Sequence, residues 1–212
     1  MAKYNPDIHH RRSIRLKGYD YSQPGLYFIT ICAQNRSKLS GDIENGKMIL
    51  NDAGMMVHRI WNEIPNDFRN IQLHEFVIMP NHIHGIIEIT TVGADSISAP
   101  FKSAPFDIRA EMDSAPTRAP SKSVKTVGAD SISAPIISAP TMAISKIVQS
   151  FKRHTTIEYI KMVKQNIAPP FEKRIWQRNY YEHIIRNEKS YYQIAEYIRN
   201  NPMKWLEDKY YV

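Results

Sequence analysis

Residues 72–90 read QLHEFVIMPNHIHGIIEIT, and this stretch decides the fold. Two runs rich in β-branched and aromatic residues flank Pro80-Asn81, a pair that interrupts extended structure. Gln72 to Met79 reads as one strand and Ile83 to Thr90 as the next. Residues i and i+2 of a strand point to the same face. His82 and His84 therefore project side by side, flanking Ile83, which turns into the core. Two imidazoles so placed can share a divalent metal. Two ligands are too few for a tight site, so a third is expected from elsewhere in the chain. The plainer alternative is a pair of histidines on the solvated face of a strand.

Working outward, Gly25 to Ala33 (GLYFITICA) reads as a strand buried on both faces. Glu44-Asn45-Gly46-Lys47 is a hairpin signal, because Asn-Gly tolerates the positive φ angles of a tight turn. A short strand, Met48 to Leu50, follows it. Asn51 can cap a helix to about Ile64, with Met56, Ile60 and Ile64 on one side and Pro65 ending it. Further on, Ile144, Ile147, Val148 and Phe151 share a helical face, and Thr156 to Gln165 is a second helical stretch that continues it. Pro169-Pro170 breaks the pattern, and Arg174 to Gln177 reads as a short strand. Asn187 can cap a last helix, Glu188 to about Asn200, which Pro202 terminates. These elements predict an α+β fold, an antiparallel sheet covered by helices.

One region breaks the texture. Thr91 to Pro100 reads TVGADSISAP, and Thr126 to Pro135 repeats it identically. It has too few large apolar residues for a solenoid. Residues 91–141 read as a low-complexity, disordered insertion, and residues 1–90 with 142–212 as a single domain. No apolar run is long enough for a transmembrane helix, and the basic N-terminus lacks a signal peptide's apolar stretch, so a cytoplasmic location and no membrane partner are expected. The single cysteine, Cys32, excludes an internal disulfide and reads as core. The net charge is +7, and residues 141–212 hold 13 Lys and Arg against 7 Asp and Glu. A basic C-terminal third suits a polyanionic partner, although a solvated surface is the even alternative.

A second chemical signal lies in that third, at Tyr197-Ile198-Arg199-Asn200-Asn201. Tyr197 and Asn201 are one turn apart on a helix. A tyrosine hydroxyl becomes a nucleophile once its proton is removed or its charge offset, and an asparagine carbonyl can complete a metal's coordination. The structural alternative is an amphipathic helix packing Ile194, Tyr197 and Ile198, with Asn201 as a cap.

The two signals belong together in a known pattern. Arg15 to Tyr21 (RLKGYDY), Gly25 to Thr30 (GLYFIT), Met79 to His84 (MPNHIH), Ile175 to Arg178 with Tyr180 to Arg186, and Tyr197 to Pro202 (YIRNNP) stand in the order found in HUH single-tyrosine transposases. Within these insertion-sequence-200-like enzymes, the chain resembles the REP-associated tyrosine transposases most. The resemblance implies a ferredoxin-like, RRM-like sandwich in which a helix brings the tyrosine over the histidine-bearing sheet. It implies His82 and His84 as metal ligands, Tyr197 as the catalytic nucleophile and Asn201 as third ligand, a position that is usually glutamine in related insertion-sequence enzymes. It also implies Mg²⁺ or Mn²⁺ as cofactor, single-stranded or hairpin-forming DNA as partner, and cleavage and rejoining through a 5′-phosphotyrosine.

Several cations then become candidate DNA contacts: Arg11, Arg12, Arg15 and Lys17 near the N-terminus, and Lys152, Arg153, Arg174, Arg178 and Arg186, with Lys146, Lys173 and Arg199, later. Trp176, Tyr180 and Tyr181 can stack on unpaired bases, with core packing the stronger alternative for Trp176. Tyr180/Tyr181 and Tyr191/Tyr192 are alternative nucleophiles, ranked below Tyr197. The resemblance admits a homodimer as well as an enzyme that acts alone. Two other readings compete: a domesticated hairpin-binding protein that does not cut, and a zinc hydrolase, which lacks a nearby acidic base.

Overall fold

The computed structural model describes residues 19–91 and 143–212. Its elements run β1 (Gly25–Cys32), β2 (Gly41–Glu44), β3 (Lys47–Leu50), α1 (Asp52–Asp67), β4 (Ile71–Met79), β5 (His82–Ile89), α2 (Ile144–Lys164), β6 (Tyr181–Ile185) and α3 (Glu188–Asn200). Short 3-10 turns, Gln34–Arg36 and Pro202–Glu207, follow β1 and α3. Four strands form one sheet in the order β4-β5-β1-β6, with every neighbouring pair antiparallel. With the β2–β3 hairpin set aside, the chain runs β-α-β-β-α-β, the split ferredoxin-like arrangement.

Strand alternation divides the central strands between two layers. Tyr27, Ile29 and Ile31 of β1 join Ile83, Ile87 and Ile89 of β5 in one apolar cluster with Val57, Ile60, Trp61, Ile147 and Phe151 of α1 and α2. Phe28 and Ile86, on the opposite face, pack with Ile185 and with Tyr191, Ala195 and Ile198 of α3. His82 and His84 share the parity of Ile86 and so face α3. Gly85 lies between them and the Trp61 side: a Cβ there would stand 2.4 Å from the Trp61 ring. The site's strand is thus pressed against the main core by the absence of a side chain.

The local signals act as their chemistry dictates. Asn45 and Gly46 both take positive φ, 50° and 73°, and close the β2–β3 turn. Asn51 Oδ1 accepts from Gly54 N–H at 2.8 Å, and Asn187 Oδ1 from Ser190 N–H at 2.9 Å, so both helices begin at their predicted caps.

Two expectations need correction. α1 continues through Pro65 to Asp67, because Ile64 and Phe68 are both buried on either side of the proline, and Phe68 N–H closes the turn on Ile64 O at 3.1 Å. Residues 174–177 are no strand; Trp176 makes one isolated bridge, to Ala33. Ile175 and Trp176 are buried without joining a ladder, Trp176 being turned to Thr155 of α2, and the strand that pairs with β1 on this side is Tyr181–Ile185 instead. The helical stretch from Thr156 continues the one from Ile144, as expected, in a single helix.

Cys32 ends β1 and is only partly buried. The duplicated TVGADSISAP segment and the Arg11–Lys17 cluster lie outside the described residues, Thr91 excepted. Ile89 before that gap and Ile144 after it belong to the same apolar cluster. Among the described residues, no helix is long and apolar enough to cross a membrane.

Candidate functional site

His82 and His84 are each only 1% exposed, and their Nε2 atoms stand 3.0 Å apart. The outer nitrogens are held in place. Asn81 spends its amide hydrogens on the carbonyls of Tyr210 (2.8 Å) and Arg36 (3.3 Å), so its Oδ1 accepts from His82 Nδ1 at 2.8 Å. That bond leaves His82 Nε2 as a bare acceptor. The β1–β5 register puts Thr30 opposite His84, and Thr30 Oγ1 lies 2.8 Å from His84 Nδ1, able to serve either tautomer. Two bare Nε2 lone pairs at this separation repel. A proton on one of them relieves the contact, while a cation satisfies both.

Burial is the chief cause that holds both rings neutral. It lowers the His82 pKa to about 4, against a partial raising effect of Asp208. His84 falls well below the ordinary histidine value through burial first, then through His82 and Lys209. Neutral imidazoles are the form that binds metal.

Tyr197, on the last turns of α3, reaches this pair. Its hydroxyl lies 3.1 Å from His84 Nε2 across 113 residues of sequence, while the side of the residue open to solvent leaves it 41% exposed. Burial of the phenol and the Asp208 charge raise its pKa, and a hydrogen bond from Asn201 opposes them. Asn201, one turn later, is buried. Its Nδ2 donates to Asp208 Oδ2 at 3.1 Å, and its Oδ1 accepts nothing among the described residues.

Asp208 is the residue that sequence reasoning missed. Its carboxylate, with one nitrogen from each of His82 and His84, forms a group whose atoms all lie within 4.8 Å of one another. It reaches the site because the chain turns back after Pro202. Trp205 and Tyr210 from the same segment lie against His82, with ring centroids at 6.0 and 4.5 Å. A 3-10 turn with mixed polar residues has no periodicity to read, so no signal in the sequence pointed to it. The donor set of two neutral imidazoles, a carboxylate and a buried, unengaged amide oxygen fits a divalent cation of the Mn²⁺ type better than strictly oxygen-seeking Mg²⁺.

Beside this group opens a pocket of about 670 Å³, with His84, Tyr197, Asn201 and Asp208 in its wall, Tyr181 across from them and Lys204 and Lys209 at its border. The predicted DNA contacts scatter around the molecule. Arg174 and Arg178 line a separate polar pocket, and Arg186 lines another with Tyr181 and Tyr21. Arg153 is exposed on α2, and Arg199 pairs with Glu75 at 3.4 Å. Lys152 turns inward: its ammonium donates to the carbonyls of Gln177, Arg178 and Asn179, and burial lowers its pKa to about 8. Its three hydrogens are used, which leaves none for a phosphate. Trp176 is buried, with its indole N–H on Thr155 Oγ1 at 2.8 Å, and offers no face to a base. Among the other tyrosines, Tyr191 is buried with its hydroxyl on Glu75 and His74, and Tyr181 alone shares the pocket with Tyr197.

Comparison with known proteins adds three findings. A family profile described as Transposase IS200 like matches residues 126–201, which include Tyr197 and Asn201 but not the histidines. A Haemophilus influenzae protein, described as uncharacterized, is 44% identical over 211 residues, spanning 100% of this chain and 98% of its own. The structure of a REP-associated tyrosine transposase bound to a REP hairpin is 18% identical, covers 91% of this chain and 74% of its own, and superposes with a TM-score of 0.49.

Proposed function

Because this chain belongs to the IS200-like transposase family, we propose that it cuts and rejoins single-stranded, hairpin-forming DNA with Tyr197 as nucleophile. The observation that carries the reading is the 3.1 Å approach of the Tyr197 hydroxyl to His84. His82 and His84 would hold the divalent ion, with the Asp208 carboxylate or the free Asn201 oxygen as third ligand. When bound, Mg²⁺ or Mn²⁺ supplies positive charge against the phosphate oxygens.

The chain's own groups do the rest. Tyr197 is set on a helix over the sheet, with its hydroxyl at the wall of a pocket large enough for a phosphodiester. Lys204 and Lys209 line that pocket beside Glu196 and Glu207, and their ammonium groups are the ones there that can meet a phosphate. Tyr181 offers an exposed ring to an unpaired base. In the reaction, the phenol oxygen bonds to phosphorus and the bond to the 3′ oxygen breaks. The proton lost by the phenol is balanced by the one gained by the departing 3′-hydroxyl. A second 3′-hydroxyl reverses the step on a new strand, so joining needs no ATP. His82, His84, Asp208 and Tyr197 come together from one chain, so the proposed centre calls on no residue of a second copy. Arg11, Arg12, Arg15 and Lys17 remain proposed contacts to the hairpin, and residues 91–141 a proposed insertion into the domain.

The test is a labelled single strand incubated with Mn²⁺ and resolved under denaturing conditions. Native protein forms a covalent adduct, and Tyr197→Phe lowers its yield by about a thousandfold or more. An undiminished adduct in Tyr197→Phe removes the assignment. A binder that does not cut is the second reading, favoured by the burial of both imidazoles beneath Tyr210. It expects salt-sensitive DNA binding and no adduct with any divalent ion.

A further inference from the structure

The inward turn of Lys152 organises a second site. One half-buried ammonium gathers three successive carbonyls, those of Gln177 (2.9 Å), Arg178 (3.4 Å) and Asn179 (3.2 Å). This fixes the path of a loop that has no helix or strand to shape it. The same loop forms one wall of a pocket of about 450 Å³, and Gln34 and Asn35, just past β1, form another. The walls are stitched together: Gln34 N–H donates to Ile175 O at 2.7 Å, and Gln177 Nε2 to Ala33 O at 3.2 Å.

The backbone around this pocket is unusual. Five described non-glycine residues have left-handed φ, and three of them, Asn35 (56°), Arg36 (54°) and Lys173 (57°), lie in the pocket or next to it. Such conformations persist where neighbouring structure enforces them, and they cluster at ligand sites. The lining is polar, with amides from Gln34, Asn35 and Asn179. Lys173, Arg174 and Arg178 set three cations there against one carboxylate, Glu172.

Amide side chains offer a donor and an acceptor together, which is how base edges are read, and guanidinium groups hold phosphates or stack on bases. A chain of hydrogen bonds runs from Arg36, next to Asn35 of this pocket, to the histidines. Asn81, bonded to His82, donates to Arg36 O, and Arg36 itself donates to Lys209 O at 3.3 Å. We propose that this pocket binds one unpaired nucleotide of the strand that is cut, with its base against the amides and its phosphate against Arg174 and Arg178. The proposal rests on the single-strand reading above.

The experiment needs no prior target. A random single-stranded DNA pool is selected on the full chain without metal. A selected oligonucleotide is then scanned with one abasic site at a time, by anisotropy. Gln34→Ala/Arg178→Ala is compared with native protein, and Asn179→Ala, a single exposed change that removes one of the base-facing amides, serves as a second variant; unaltered circular dichroism shows that each is folded. On native protein one position costs about tenfold when its base is missing. In both variants that penalty shrinks to about twofold or less, while penalties elsewhere stay, because a lost contact cannot be lost twice. Penalties that are identical in native and variant proteins overturn the pocket and leave the single-strand reading standing. A pool from which native protein retains nothing overturns both.

Discussion

On one face of the sheet, Tyr27, Ile29, Ile31, Ile83 and Ile87 pack beneath α1 and α2. On the other, the alternate residues of the same two strands, Phe28, Thr30, His82, His84 and Ile86, meet α3 and the C-terminal turn. The first list is carbon apart from the Tyr27 hydroxyl, which donates to Gln23 O at 2.7 Å. The Trp61 indole N–H beside it has no acceptor among the described residues, but it is uncharged and binds no metal. The second set contains two facing imidazole nitrogens and, close by, an amide oxygen with no donor among the described residues. Stability alone does not select such groups, since a buried acceptor left unpaired costs free energy. The difference assigns the fold to the first face and the chemistry to the second, and each prediction below is a way to break or sharpen that division.

The largest effect is expected on the apolar face. Trp61 is fully buried, stacks on Phe76 and meets Phe151 edge to face. Trp61→Ala should lower the free energy of unfolding by about 3–5 kcal/mol in urea titration, through lost burial and the cavity left behind. A loss under about 1 kcal/mol would mean that this face is not the foundation of the domain.

Acid should attack the other face. Unfolded histidines titrate near 6.5, and His82 in the folded chain near 4, with His84 also well depressed. The unfolded state therefore binds more protons in this window. The stability contributed by neutral rings is whole above about pH 6.5 and is lost as pH falls towards 4, by roughly 1.4 kcal/mol per unit for each ring. Thermal unfolding across that range measures the slope, and His84→Leu should flatten it. A native slope no steeper than that of the variant removes the buried-imidazole account.

A cation should act on the same residues with opposite sign. Mn²⁺ at a hundred times its dissociation constant should stabilise native protein by about 2.7 kcal/mol. The His84→Leu variant should show no Mn²⁺ shift, yet lie within about 1 kcal/mol of native without metal, because an apolar side chain replaces a costly acceptor. An equal Mn²⁺ shift in both proteins would place the ion elsewhere.

The two faces also differ in how well the sequence announces them. β1, β5 and the shared side of His82 and His84 follow from composition and a period of two. β6 does not, because Tyr181, Glu182 and His183 form a polar edge strand, while Ile175-Trp176 imitates a strand by apolar character although Trp176 makes one isolated bridge and no ladder. Charge alone made Lys152 look like a surface contact; only its three carbonyl partners reveal an interior role. Tyr197 and Asn201 were found through family resemblance and helical spacing. Asp208 and Tyr210 were not, because nothing local in the turn after Pro202 foretells a return to the sheet.

The smallest effect gives the finest test, because each face has a helix with an asparagine cap. Asn51 starts α1 and also donates to Leu39 O at 3.2 Å, and Asn187 starts α3. Replacing either by alanine should cost about 1 kcal/mol of stability. The consequences for the reaction should diverge. α1 touches nothing in the site, so Asn51→Ala should form adduct at the native rate per folded molecule. α3 carries Tyr197 and rests on a small apolar patch, Phe28, Ile86 and Ile185. Fraying its first turn loosens Tyr191, whose backbone N–H bonds to Asn187 O at 3.1 Å, and a less firmly seated helix should slow single-turnover adduct formation by about twofold or more. Equal slowing by the two variants would mean that the helices act as one unit, and the separation of fold from chemistry across the sheet would fail.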